Sequence, residues 1–290
     1  MDLLISDVHF GSQGGERERW KERLFAELLG PLRAGDRLLL LGDIFDVWIG
    51  WHSVVPAGYH RVLSAIDDAR ARGAEVHFVV GNHDFAPGRF LEKRMGVRIH
   101  REPVPLSGPG SSEPILLAHG DEPPAGERSY RVLRRVLRFH ATHWVLRMLP
   151  ADATLAVGRL WSRKGRSGRP NPREARLWLE RYHELVVRRW WAEGHRIVIS
   201  GHHHVATLSE EDGHVFVNLG HWLDGATWGE IVEGKLTLWR QGREGSREVV
   251  GVVETGEAGE DLGRVVRSTR ALASDRPPRE ERGSQNEWKR

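Results

Sequence analysis

Five short apolar runs in this chain each end in residues able to bind a metal ion. Leu3–Ser6 leads into Asp7-Val8-His9, and Arg37–Leu41 into Gly42-Asp43-Ile44-Phe45-Asp46. Val76–Val80 leads into Gly81-Asn82-His83-Asp84, Ile115–Ala118 into His119-Gly120-Asp121, and Ile197–Ser200 into Gly201-His202-His203-His204. Runs this short read as buried strands. Stretches of helical spacing, Trp20–Leu29 and Tyr59–Arg72, lie between the first three and stop at Gly30-Pro31 and Gly73. The alternation predicts an α/β fold in which helices cover a sheet. The carboxyl ends of its strands are where open α/β sheets place their ligand sites.

The donor chemistry is narrow. The chain has no cysteine, so any ion must be held by oxygen or imidazole. Asp7 and His9 are spaced i and i+2, as are His202 and His204, so in extended backbone each pair points one way. Glycines 42, 81, 120 and 201 permit sharp turns beside these residues. Such donors suit Mn²⁺, Fe²⁺ or Zn²⁺. Each fragment alone has a bland explanation as turn decoration. All five together, each behind an apolar strand, do not.

Beyond Ser200 the pattern changes to strands alone. Val205–Glu210, His214–Asn218, Thr227–Glu233 and Lys235–Arg240 are joined by turn signals and predict a second, antiparallel sheet. Residues 126–170 interrupt the α/β alternation with an Arg-rich amphipathic helix, SYRVLRRVLRFHATHWVLRMLP, and a shorter one after it. A long helix over about Pro172–Glu193 returns the chain to the sheet. Residues 1–253 therefore read as one domain with a helical insert at 126–170, and residues 254–290 as a disordered polar tail. From Glu127 to Arg196 there are 17 Lys/Arg against 6 Asp/Glu. That excess suits either a solvated helical face or a surface for phosphate or anionic lipid. No stretch approaches the roughly 20 apolar residues that span a bilayer, and MDLLISDVHF lacks the basic flank of a secretion signal.

The order D-x-H, G-D-x-x-D, G-N-H-D, H-G-D, G-H-x-H resembles that of the calcineurin-like metallophosphoesterases over about residues 1–220. The resemblance implies a two-sheet α/β sandwich with a dinuclear metal site at one edge. Asp7, His9, Asp43 and His204 would hold one ion; Asp43, Asn82, His119 and His202 the other, with Asp43 bridging. His203 stands at the variable position and stays outside the metal shell. Asp46 and Asp84 would orient the ligand imidazoles. Two divalent ions, Mn²⁺ in first place, would lower the pKa of a bridging hydroxide and clamp the phosphoryl oxygens. His83 would bond a phosphoryl oxygen or protonate the leaving group, with Asp84 setting its tautomer.

The segments GDIFDVWIGW, the Arg-rich insert after HGD, and GHHHVATLSEEDGHVFVNLGHWLDGATW are similar to those of the UDP-2,3-diacylglucosamine pyrophosphohydrolases of lipid A synthesis. In that family a helical cap receives two acyl chains, and the products are lipid X and UMP. Trp144, Leu146, Met148, Leu149, Leu155, Val157, Leu160 and Trp161 would line the acyl groove, or simply pack the cap onto the core. Asn82, His83, Tyr130, Ser162, Arg163, Lys164 and His202 would contact substrate. The resemblance implies a cytoplasmic enzyme, or one peripheral on the cytoplasmic face of the inner membrane, meeting an anionic surface and no nucleic acid. His83 departs from the arginine of that family's best-known branch. The alternatives are a phosphoesterase for another nucleotide-sugar, phosphodiester or phosphoprotein, and a non-catalytic metal-binding scaffold.

Overall fold

The computed structural model describes residues 1–108, 111–123, 128–167 and 171–255; the tail beyond Thr255 and the side chains of Tyr130 and Lys164 lie outside the described residues, while Glu254, expected in the tail, ends a strand. Four parallel strands, β1 (Asp2–Ile5), β2 (Arg37–Leu40), β3 (Glu75–Val79) and β4 (Arg98–His100), pair side by side. Helices α1 (Gly15–Leu29) and α2 (His60–Ala71) form the first two crossovers. The opening turn of α1, Gly15–Arg19, is polar, so apolar spacing reveals the helix only from Trp20.

A second sheet takes β5 (Val104–Gly108), β6 (Ser111–Leu117), β7 (Ile197–Ser200), β8 (Thr207–Glu211) and β9 (His214–Asn218), in the order β5-β6-β7-β9-β8. The last strands, β10 (Ala226–Val232), β11 (Lys235–Gln241) and β12 (Arg247–Glu254), join the first sheet instead, giving β12-β11-β10-β1-β2-β3-β4. The expectation of one antiparallel sheet after Ser200 is therefore wrong in its assembly. Turn chemistry specifies that neighbouring strands pair; it does not say which sheet the hairpin joins.

The central strands bury both faces, which is why they read as unbroken apolar runs. Leu3, Ile5, Leu38 and Phe78 face Leu24, Phe25, Leu28, Val62 and Ile66 of the first two helices. Leu4 and Leu39 point the other way, into a core shared with Leu117, Ile197, Ile199, Val215 and Val217 of the second sheet. The outer face of that sheet, Leu116, Val198 and Phe216, packs under Leu179, Tyr182, Val187 and Trp190. Helix, sheet, sheet and helix stack in that order.

Those last side chains belong to α6 (Pro172–Tyr182), a wide π turn at His183–Val187, and α7 (Arg188–Ala192), the single long helix expected. Asn171 caps it: its side chain accepts from the main-chain N–H of Arg173 and Glu174, while Glu174 accepts from Asn171 N–H. Before it run α3 (Arg128–Arg138), α4 (His140–Met148) and α5 (Ala151–Ser167). The first two were expected as one helix. Phe139 is extended (φ −74°, ψ 136°), and α4 caps the end it leaves. The Thr142 hydroxyl donates to the Val136 carbonyl at 2.6 Å and the His143 ring to that of Leu137 at 2.8 Å. Neither proline nor glycine marks this break.

Candidate metal centre

The loops leaving β1 and β2 stay paired beyond the strands. Asp7 N–H donates to the Gly42 carbonyl (3.1 Å), His9 N–H to that of Asp43 (2.9 Å), and Asp46 N–H to that of Phe10 (2.9 Å). Asp7, His9 and Asp43 are thus held side by side. From the second sheet, Gly201 N–H donates to the His119 carbonyl at 2.8 Å. Close approach dictates glycine at two points: a Cβ on Gly81 would lie 2.3 Å from Asp43 Oδ1, and one on Gly201 2.2 Å from Asp7 Oδ2.

The backbone here is not extended, as the i, i+2 spacing suggested. Asp7, His9, Asp43, His202 and His204 all have positive φ, between 50° and 68°. Only two other non-glycine residues among those described, Asp212 and Glu233, share this conformation. It costs of order 1 kcal/mol or more per residue. Its concentration on these five side chains marks a site whose geometry outranks local comfort.

Three donor groups result, His9, Asp46 and His83 among them, and two clusters carry the expected ligands. In the first, His204 Nε2 stands 3.1 Å from Asp7 Oδ1 and 3.3 Å from His9 Nε2. In the second, His119 Nε2 stands 3.1 Å from Asn82 Oδ1 and 3.5 Å from Asp43 Oδ1, with the His202 ring 5.1 Å from that of His119. Asp43 sends its other oxygen, Oδ2, to 3.9 Å from His9 Nε2 and so faces both clusters. Lone pairs crowded this closely suit a cation between them. His119 Nδ1–H donates to the Leu41 carbonyl at 2.8 Å, leaving Nε2 free to ligate. The mixed oxygen and imidazole set fits Mn²⁺, Fe²⁺ or Zn²⁺.

Electrostatics agree. Burial pushes the Asp7 carboxyl up, but the bond and charge of His204, the charge of His119 and the bond from His202 N–H together leave Asp7 below its ordinary value. Burial, with help from Asp84 and Asp7, raises Asp43 to about 6 against the pull of His119 and His83. Burial would lower His119, yet the charges of Asp43, Asp7 and Asp121 lift it to about 9. Burial and the charge of His119 hold His202 well below the ordinary imidazole value.

His83 stands beside the donor clusters, with a different support from the one expected. Its Nε2 lies 3.9 Å from Asp43 Oδ2, and its Nδ1–H donates to the Asp46 carbonyl at 2.8 Å. Asp84 does not set its tautomer or touch a ligand imidazole: its oxygens accept from Gly81 N–H (2.8 Å) and Ile44 N–H (2.9 Å). Asp84 therefore shapes the turn. Asp46 Oδ1 sits 3.9 Å from the Nδ1 of both His9 and His83, at charge range and not bonded to either. His203 turns away, its ring 4.6 Å from that of Tyr182.

The insert reaches this cluster at two points. Ser162, buried on α5, donates to Asp46 Oδ1 at 2.5 Å and stands 3.5 Å from His83 Nδ1; Arg163 is exposed. Asp121, whose side chain had no assigned role, accepts from Arg134 Nε and Arg138 Nη2 of α3, both at 3.1 Å. The eight apolar insert residues do not line one groove. Leu155 and Leu146 pack onto Val47, Ile49 and Trp51, while Trp144, Met148, Leu149, Val157, Leu160 and Trp161 face outward. Spacing along a helix shows which side chains share a face, not what the face meets.

A family model described as calcineurin-like phosphoesterase matches residues 3–206. A UDP-2,3-diacylglucosamine hydrolase of Pseudomonas fluorescens is 35% identical over 161 residues, 55% of this chain and 61% of that one. This chain thus spans less than two thirds of that relative. Proteins of the same name from Aeromonas salmonicida and Edwardsiella ictaluri are 30% and 31% identical over 202 and 229 residues, covering 70% and 76% of this chain and 76% and 84% of theirs. With the family match running through all the strand-end clusters down to His204, the chain belongs to the calcineurin-like phosphoesterases, which are metal-dependent enzymes.

Proposed function

We propose that the protein cleaves the pyrophosphate of UDP-2,3-diacylglucosamine to 2,3-diacylglucosamine 1-phosphate and UMP. One observation carries this: an insert with an outward apolar surface, including Trp144 (65% exposed) and Trp161 (71% exposed), is bonded through Ser162 to Asp46 beside the donor clusters. A phosphoesterase acting on small soluble esters has no use for that surface, whereas a lipid substrate has. The relatives that share the name UDP-2,3-diacylglucosamine hydrolase support the reading.

Asp7, His9, Asp43 and His204 would hold one ion, and Asp43, Asn82, His119 and His202 the other, with Mn²⁺ the first choice. The ions would supply a nucleophile at neutral pH and neutralise charge on the phosphoryl oxygens. His83, with Nδ1–H committed to the Asp46 carbonyl, offers Nε2 to a phosphoryl oxygen or leaving group and donates there as imidazolium. Asn82 and His202, both partly exposed, border the substrate side. Exposed apolar side chains on α4 and α5, with Arg163, would meet an anionic membrane surface. No helix among the described residues is long and apolar enough to cross a membrane.

His83 also favours a second reading, in which the same chemistry serves another nucleotide-sugar, phosphodiester or phosphoprotein. Purified protein with Mn²⁺ should release UMP from UDP-2,3-diacylglucosamine. Rapid cleavage of bis(p-nitrophenyl) phosphate with none of the lipid would favour the second reading.

A further inference from the structure

Lys21 lies on the face of α1 that carries Leu24, Phe25 and Leu28 into the core, and it is fully buried. Its ammonium group donates to the carbonyls of Val8 and His9, each at 3.0 Å. Glu18, one turn earlier, balances the charge at 3.2 Å and also accepts from Gly11 N–H at 2.7 Å. An aliphatic side chain would fill this space without the desolvation a buried cation suffers. What the cation obtains is a grip on the two carbonyls that follow Val8 and His9, in the loop where Asp7 and His9 are both twisted to positive φ. The Asp7 carbonyl is held as well, by Trp222 N–H at 3.1 Å. With its carbonyls pulled toward α1, the loop keeps the Asp7 and His9 side chains on the opposite, ligand side.

We propose that Lys21 is a positioning residue that holds the Asp7–His9 loop in its ion-accepting shape. This rests on the metal reading of the site and on no choice of substrate. The effect is one-sided, because Asp7, His9 and His204 form one cluster while Asp43, His119 and His202 form the other. Lys21 bonds carbonyls in the loop of the first.

The test is Mn²⁺ titration by calorimetry, with electron paramagnetic resonance, on the full chain and on Lys21→Met. The parent should bind two ions per chain with the signal of a coupled pair. Lys21→Met should keep one ion at parental affinity and bind the other about 10–100-fold more weakly, with the signal of an isolated ion. Two ions bound unchanged, or both weakened equally, would overturn the proposal. A parent that binds no Mn²⁺ would sink the metal reading along with it. Should Lys21→Met fail to fold, judged by melting in chelator, Glu18→Gln keeps the lysine and removes its counter-charge. It should weaken the same ion severalfold, and unchanged affinities there would equally overturn the inference.

Discussion

The metal edge and the helical insert are built on opposite rules. At the edge, the carboxylates with His9 and His119 are almost wholly buried, Asp7 at 0% and His119 at 1% exposure, and five of the donors sit in strained backbone. On the insert, tryptophans and leucines stand in solvent while arginines make its ion pairs. One region spends stability to fix atoms; the other leaves apolar surface uncovered for something outside the chain. On the proposed function, reaction and recognition are thereby separated. They meet through Ser162 on Asp46, and through Arg134 and Arg138 on Asp121.

If the edge alone carries the chemistry, Asp43→Ala should do the greatest damage. Asp43 faces both clusters, so its loss should strip ions from each and lower turnover at least about a thousandfold, several kcal/mol of transition-state stabilisation. Metal analysis and initial rates check this, and vesicle binding by the insert should be unaffected. Acid should separate the regions next. His119 is raised to about 9 and Asp43 to about 6 in the ion-free protein, so both must lose protons for an ion to bind. Metal affinity should therefore fall as pH drops, by up to about tenfold per unit below 9 while His119 is protonated, and more steeply below about 6. Apolar and arginine side chains do not titrate in this range, so vesicle binding should not fall between pH 8 and 6. Parallel losses of both would erase the distinction drawn here.

The edge was also far more legible in sequence than the insert. Its strands are buried on both faces, so Ile197–Ser200 reads as one apolar block, and its candidate donors follow such blocks in an ordered series. What escaped is whatever depends on distant partners. The partner of His83 is a carbonyl 37 residues away and not its neighbour Asp84. Lys21 appears as one charge among many, visible only as the lysine interrupting a stripe of Leu24, Phe25 and Leu28. The break at Phe139 rests on Thr142 and His143 side chains, which propensity does not register. Four of the five described strands after Ser200 were found and β12 was missed, while their division between two sheets is set by which core each apolar face completes.

Ser162→Ala probes the join. The hydroxyl bond to Asp46 is charge-assisted, a class worth about 1.5–3 kcal/mol. Asp46 also carries the carbonyl that orients His83. The variant should keep its full complement of Mn²⁺ and lose about tenfold in kcat on the lipid. Unchanged kcat would mean that the insert merely rests on the edge.

The smallest effect should come from the outer face of the insert, and it tests the comparison from the other side. Trp144 and Trp161 are mostly exposed, so changing both to serine removes little packing and should move stability by no more than about 0.5 kcal/mol each. Metal content and hydrolysis of bis(p-nitrophenyl) phosphate should match the parent. Co-sedimentation with phosphatidylglycerol vesicles should fall severalfold, as should the rate on UDP-2,3-diacylglucosamine presented in them, because each indole lost removes apolar area and an interfacial anchor. If the soluble ester were slowed as much as the lipid, the tryptophans would be supporting the metal edge, and the division between a buried chemical region and an outward recognising one would fail.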